Sequence, residues 1–288
     1  MAIPYRVDVA MARVPIANWV LIGLTIVCSV KILVDLRTVA QHRPQPRLID
    51  QDLLNENQVT VDDEIAYPLA LWRGRDFRLW QLLTNVFVHA DVLHLVGNMY
   101  FLFVFGNAIN AKLGHALFVC LYFLFGVIAN LGWLSLGNGD CVVGASGAIA
   151  GITGMLLVYY PRNDVALLRW GWLEWRYMPE AIAAGWVILF YMVCDLWGMI
   201  ADDNGVAYVS HVVGALCGIG IAIALLRWKW VETPYGEENL LQVFGWERAS
   251  GRKARKRKNR LAQKPEISRF GPEQRHLPPD AGDVRGWG

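Results

Sequence analysis

Six apolar stretches, each about as long as a membrane is thick, constrain this chain more than any other feature. A hydrocarbon core of about 30 Å takes roughly 20 residues of helix. Stretches at about 16–34, 92–111, 115–136, 142–160, 181–200 and 206–226 meet that length. The first contains Lys31, which lies close enough to a helix end to snorkel outward. It is too long for a cleavable signal peptide and lacks a small-residue cleavage site. With 55% hydrophobic and 18% charged residues and a mean hydropathy of +0.31, the chain is too apolar for an ordinary soluble domain. It reads as an all-α membrane protein: an N-terminal segment 1–15, a six-helix bundle over 16–226 with a long first loop 35–91, and a basic, largely disordered tail 227–288.

Lys and Arg set the orientation. An even number of spans puts both termini on one side, and the tail carries Arg227, Lys229, Arg248 and the run from Arg252 to Arg260. Lys112, Arg162, Arg169 and Arg176 fall in loops on that same side, whereas loops 137–141 and 201–205 hold no Lys or Arg. The positive-inside rule makes the basic side cytoplasmic. The expected location is the cell (inner) membrane, multi-pass, with both termini in the cytoplasm. Nucleic acid and anionic lipid heads are alternative readings of the run 252–260. The reading retained is a solvated topology anchor, so no nucleic-acid partner is expected. Cys28, Cys120, Cys141, Cys194 and Cys217 have no regular spacing, which argues against a disulfide framework or zinc site.

Parity also fixes depth. Spans two, four and six run in one direction, so residues near their starts share a level beneath the outer face. At about 1.5 Å per residue, Ser146 and His211 lie roughly 6–8 Å deep, and span two brings His94 and Asn98 to that level. His94 and Asn98, four residues apart, point from one helical face. Gly144, Gly147, Gly151 and Gly154 on span four, with Gly214 and Gly218 on span six, permit close backbone approach.

Taken singly, each polar residue has an unremarkable role. Ser146 can bond back to its own helix, His211 can tie two helices, and Asn98 can be packing glue. Together at one depth they make a chemical set. Serine needs a base within hydrogen-bond reach to act as a nucleophile, and neutral imidazole suits that task near neutral pH. A tetrahedral oxyanion then needs donors, which Asn98, His94 and the Ser146 backbone amide at a helix start can supply. The sequence Gly-Ala-Ser-Gly is not the GxSxG elbow, which also requires a preceding strand. There is no HExxH for a zinc protease. His89 and His94 lie about 140° apart around a helix, poorly placed to chelate together. No cofactor or metal is expected.

These residues carry a resemblance. From residue 78 to 226 the chain resembles the rhomboid intramembrane serine proteases in motif order and spacing. Residues 84–99 resemble the family's HxxxxHxxxN segment through His89, His94 and Asn98. Gly144-Ala145-Ser146-Gly147 resembles its GxSG motif, and residues 205–214 its last-helix histidine motif. The resemblance implies Ser146 as nucleophile and His211 as base, a dyad without an acid, with His94, Asn98 and the Ser146 amide holding the oxyanion. It also implies a six-helix core, a water-accessible cavity open to the non-cytoplasmic side, and a first loop partly seated in the interface, where Trp72, Phe77 and Trp80 would suit. Two positions depart from the family pattern: Ala150 stands where an aromatic often stacks on the histidine, and Gln81 follows Trp80 in place of arginine. Whether Tyr208 supports His211 instead is open at the level of sequence.

The expected function is hydrolysis of peptide bonds in or near transmembrane segments, with single-span membrane proteins and the lipid bilayer as partners. Helical carbonyls are hydrogen-bonded and shielded, so substrates should carry helix-weakening Gly or Pro. The resemblance adds small residues before the cut. A catalytically inactive, client-binding rhomboid-like protein is the alternative. A transporter pathway fits less well, because spans four and six are apolar below Ser146 and His211. Asp195, the one acid inside a span, reads as an interfacial or water-facing carboxylate, with orientation of His211 as the alternative.

Overall fold

The computed structural model describes residues 2–9, 11–42, 68–74, 77–169, 179–201, 207–233 and 237–246. All of these belong to one compact unit, Met1–Arg248. The basic run 252–260 and residues 43–67 of the first loop lie outside the described residues.

In chain order, strand β1 (Ala2–Val7) precedes the long helix α1 (Ile16–His42). Strand β2 (Leu71–Trp72) and one helical turn, α2 (Gln81–Thr84), follow. Helix α3 (Val92–Phe101) runs through a π turn (Leu102–Gly106) into α4 (Asn107–Leu113). Next come α5 (His115–Leu136), β3 (Cys141–Val142) and α6 (Ser146–Tyr159). Strands β4 (Asp164–Arg169) and β5 (Pro179–Ala183) lead into α7 (Ala184–Ala201), α8 (Tyr208–Arg227) and the short α9 (Leu240–Val243). Each of the six apolar stretches is thus helical over most of its length. Among the described residues four helical segments are long and apolar enough to cross a membrane: Ile16–Asp35, Val92–Leu113, His115–Leu136 and Tyr208–Arg227. Helices α6 and α7 are apolar but shorter.

The exterior confirms the solvent. Leu93, Trp186, Phe190, Trp197 and Ile200 are largely exposed, a display suited to acyl chains, which are as apolar as the side chains themselves. Inside, Tyr122, Tyr159, Phe105, Phe118 and Phe125 are fully buried. Because lipid gives apolar surfaces no reason to associate, close packing and polar ties must hold the helices together. Both are present.

The most extensive helix contact joins α6 to α8. A Cβ at Gly214 would strike the carbonyl oxygen of Gly147, one at Gly218 that of Gly151, and one at Gly154 that of Ala215. The glycines therefore bring backbone against backbone. Asn18 of α1 supplies a polar tie: its amide donates to the Leu102 carbonyl at the π turn and to Asn107 Oδ1, each at 2.9 Å.

At one end of the bundle β1, β4 and β5 form an antiparallel sheet, with Val7 opposite Val165 and Asp164 opposite Ala183. There Lys112 lies 3.8 Å from Glu237 and over the Tyr160 ring at 4.7 Å. Arg162 pairs with Glu238. The ends of α4 and α6 and the start of the tail thus meet on one side, as parity requires.

Three features depart from the sequence reading. Helix α1 continues to His42 because nothing in residues 35–42 stops it; the first breaker is Pro44, which disfavours helix at the residue before it. The small sheets accompany a helical bundle whose apolar pattern gave no sign of them. Part of the presumed tail is built in: Asn239 and Gln242 form a reciprocal capping box at α9, and Leu241 is buried.

Candidate active site

At the other end of the bundle lies a cavity of about 980 Å³, lined by the starts of α3, α6 and α8, the outer part of α7 and the loop after α5. His94, Asn98, Ser146 and His211 all line it. The structure therefore brings these four residues together, while His89 lies outside the cavity lining.

Each is placed by local chemistry. Asp91 caps α3 by accepting the His94 backbone N–H at 2.8 Å, which starts the helix that carries His94 and Asn98. Ser146 is the first residue of α6, where backbone N–H groups lack partners within the helix. Gly144 precedes it with φ of 118°, a region that disfavours side chains. A Cβ there would lie 3.0 Å from His94 Nε2 and 3.6 Å from Asn98 Nδ2. The His94 ring therefore leaves no room for a side chain at this position, and Asn98 lies next to it. Asn98 is buried, and its Nδ2 has no hydrogen-bond partner among the described residues. An unpaired buried donor is costly, and this one lies beside Gly144, two residues before Ser146.

His211 is held from α7 and from its own helix. Its Nδ1 lies 2.9 Å from Asp195 Oδ1, so the carboxylate expected to face water instead meets the imidazole. The side chains are 18% and 27% exposed, so water reaches the pair. The Tyr208 ring lies edge-on to His211, centroids 6.2 Å apart at 82°. Tyr208 fits because α7 offers Gly198 beneath it, where a Cβ would collide with the ring. Ala150 lines the cavity without providing an aromatic surface. No hydrogen bond joins Ser146 to His211 among the described residues.

A polar layer lies behind these groups. Asn85 and Asn130 exchange side-chain hydrogen bonds at 2.9 and 2.8 Å. The Asn85 carbonyl accepts the Gly144 N–H at 3.1 Å, which ties the loop before Ser146 to α5. Ser29 donates its one hydroxyl hydrogen to the Phe87 carbonyl at 2.7 Å. Its 2.9 Å contact with His89 Nδ1 therefore requires His89 to carry the proton on Nδ1. His89 packs edge-on against His94, centroids 5.1 Å apart. It buttresses that ring.

The first loop packs differently from expectation. Trp80 is exposed and Phe77 half-buried, but Trp72 is buried in the pairing of β2 with β3. Arg73 donates to the Trp133 and Gly137 carbonyls at 2.9 and 3.0 Å, capping the C-terminus of α5. Gln81, where the family pattern has arginine, accepts the Arg78 N–H at 2.9 Å.

Asn85 and Asn130 support the site and were not singled out from the sequence, and Asp195 meets His211, a contact the sequence reading held only as the alternative. A lone acid or amide in or beside an apolar span signals a function. Their partners come from other helices, and local spacing does not reveal them.

A rhomboid domain model matches residues 76–228, more than half of the chain. Over 161 residues the chain is 29% identical to Rhomboid-like protein 11, chloroplastic, of Arabidopsis thaliana, covering 52% of this chain and 54% of the relative. It is 29% identical over 143 residues to the human Presenilin-associated rhomboid-like protein, mitochondrial, covering 48% and 36%. It is 40% identical over 102 residues to Putative rhomboid protease YdcA of Bacillus subtilis, covering 32% and 51%. The chain therefore spans about half the length of two of these relatives and about a third of the human one.

Proposed function

Because the chain belongs to the rhomboid family, we propose that it is an intramembrane serine endopeptidase in which Ser146 is the nucleophile and His211 the base. The observation that carries this reading is the shared cavity, in which Ser146 and His211 stand with the unpaired Asn98 amide beside Gly144.

The chemistry proceeds as follows. His211 Nε2 takes the Ser146 hydroxyl proton as Oγ bonds to the carbonyl carbon of the scissile peptide. The carbonyl electron pair moves to oxygen, and the resulting oxyanion is met by Asn98 Nδ2, His94 and the Ser146 N–H. The imidazolium returns its proton to the leaving amine as the C–N bond breaks. Water then attacks the acyl-enzyme by the same steps and frees Ser146. The substrates are single-span membrane proteins with a helix weakened by Gly or Pro, since an intact helix keeps its carbonyls bonded. Cytoplasmic termini in the cell membrane accord with Lys112, Arg162 and Arg227 at the end away from the cavity. The six-span count follows from treating the shorter α6 and α7 as spans.

A second reading, client binding without catalysis, draws on the absence of a Ser146–His211 hydrogen bond. Catalytic hydrogen bonds often tighten only when substrate is bound, which favours the first. The deciding experiment uses purified full-length protein in detergent, with fluorophosphonate labelling and cleavage of a model single-span substrate, each with and without chelator. Labelling and cleavage should resist the chelator and disappear in Ser146→Ala and His211→Ala, with turnover falling by up to about a millionfold. Well-folded wild-type protein without either activity on several substrates would leave client binding.

A further inference from the structure

Helix α7 is apolar on its lipid side, where Phe190, Val193, Trp197 and Ile200 are exposed. Its other side faces the cavity through Ile188, Tyr191 and Asp195, spaced three and then four residues apart as one helical face requires. A carboxylate in such a helix is expensive unless it has a partner, and its partner is His211 Nδ1 at 2.9 Å. Among the described residues that line the cavity, the other titratable groups are Asp91, His94, Cys141, Tyr191 and Tyr208. None of them hydrogen-bonds to His211.

We infer that Asp195 is a positioning residue for His211, fixing the imidazole as its Nδ1–H form so that Nε2 presents a lone pair to Ser146. The inference rests on the Ser146–His211 reading and adds a third member to it. Imidazole has two ring nitrogens, and the bond made by one decides which is free to act as base. A carboxylate can only accept here, so it selects Nδ1–H. When Nε2 takes the serine proton, the carboxylate then lies against the imidazolium charge and stabilises it, while the proton on Nδ1 stays in place. Tyr208 limits the ring from a second direction by its edge-on contact. Together they perform the task that an aromatic at the position of Ala150 performs elsewhere in the family pattern.

The test measures kcat and KM of the full-length protein in detergent on a model single-span substrate, for wild type, Asp195→Asn and Asp195→Glu, beside Ser146→Ala. Asparagine can donate to the imidazole and favour the wrong tautomer. A buried triad acid replaced by its amide loses about 10⁴-fold in kcat. This pair is partly open to water, so the expected fall is on the order of 10- to 100-fold, in kcat more than KM. Asp195→Glu recovers part of the rate, because a carboxylate can again accept from Nδ1. Should Asp195→Asn stay within about twofold of wild type in kcat and KM, while Ser146→Ala is inactive, Asp195 has no positioning role. A fall in kcat with no recovery by Glu overturns it as well. Activity retained by Ser146→Ala would instead sink the underlying dyad. Should the Asn variant not fold, ¹⁵N-histidine spectra of the wild type decide, with His211 identified by its loss in His211→Ala: a proton on Nδ1 supports the inference, and one on Nε2 overturns it.

Discussion

The two contacts that α8 makes on either side of His211 are built in opposite ways. Toward α6, glycines remove the side chains, and carbonyl oxygens of one helix occupy the space where Cβ atoms of the other would be. Toward α7, the contact runs through side chains: Asp195 to His211, and Tyr208 over Gly198. The first kind fixes the distance between the helix carrying Ser146 and the helix carrying His211, because backbone cannot change rotamer. The second fixes only the direction of a ring, and does so at a surface that water reaches. The difference separates two tasks in one site. Backbone contact sets where the imidazole sits, and polar side-chain contact sets which way it faces.

Perturbing the backbone contact should have the larger effect. Gly218→Val places a branched side chain against the Gly151 carbonyl, where overpacking typically costs about 1–3 kcal/mol and more if the backbone cannot yield. Thermal unfolding in detergent should begin well below that of wild type, and activity should fall with the folded fraction. A variant as stable as wild type would mean that α6 and α8 can separate without loss.

Removing the donor beside Gly144 tests the site without touching either helix contact. Asn98→Ala should lower kcat by about 10²–10³-fold, as loss of one oxyanion donor does elsewhere, while thermal stability holds or rises, since the amide has no partner to lose. Unchanged kcat would take Asn98 out of the oxyanion set and return it to packing.

Tyr208→Leu probes the side-chain contact at its weaker member. An edge-on aromatic pair contributes about 0.5–1.5 kcal/mol beyond the area it buries, so kcat should fall by no more than about tenfold. Combining it with Asp195→Asn sharpens the comparison: the joint loss should differ from the product of the single losses, because both act on one ring. Independent effects would show that Tyr208 packs against His211 without orienting it.

Helices and site were legible in the sequence to different depths. The apolar lengths gave six helices, and parity put the starts of spans two, four and six at one end; His94, Asn98, Ser146 and His211 duly line one cavity. The glycine spacing pointed to close helices and the structure pairs them as α6 with α8. The N-terminal strand was not legible, because its partners lie at β4, far along the chain. Trp72 looked like an interfacial residue and is buried, since the two-residue pairing of β2 with β3 carries no periodic pattern.

By itself, the sequence determined where the apolar helices run, that the starts of the second, fourth and sixth stretches lie at one end of the bundle, and the places where backbones could touch. These follow from length, parity and side-chain size, which are local quantities. Only the tertiary structure decided that Asp195 faces His211, that Asn85 ties the loop before Ser146 to Asn130, and that Tyr208 takes up the space over Gly198. Each depends on how far one helix is rotated about its axis relative to another. That rotation is set by the packing of the whole bundle, and no single helix carries it in its own residues.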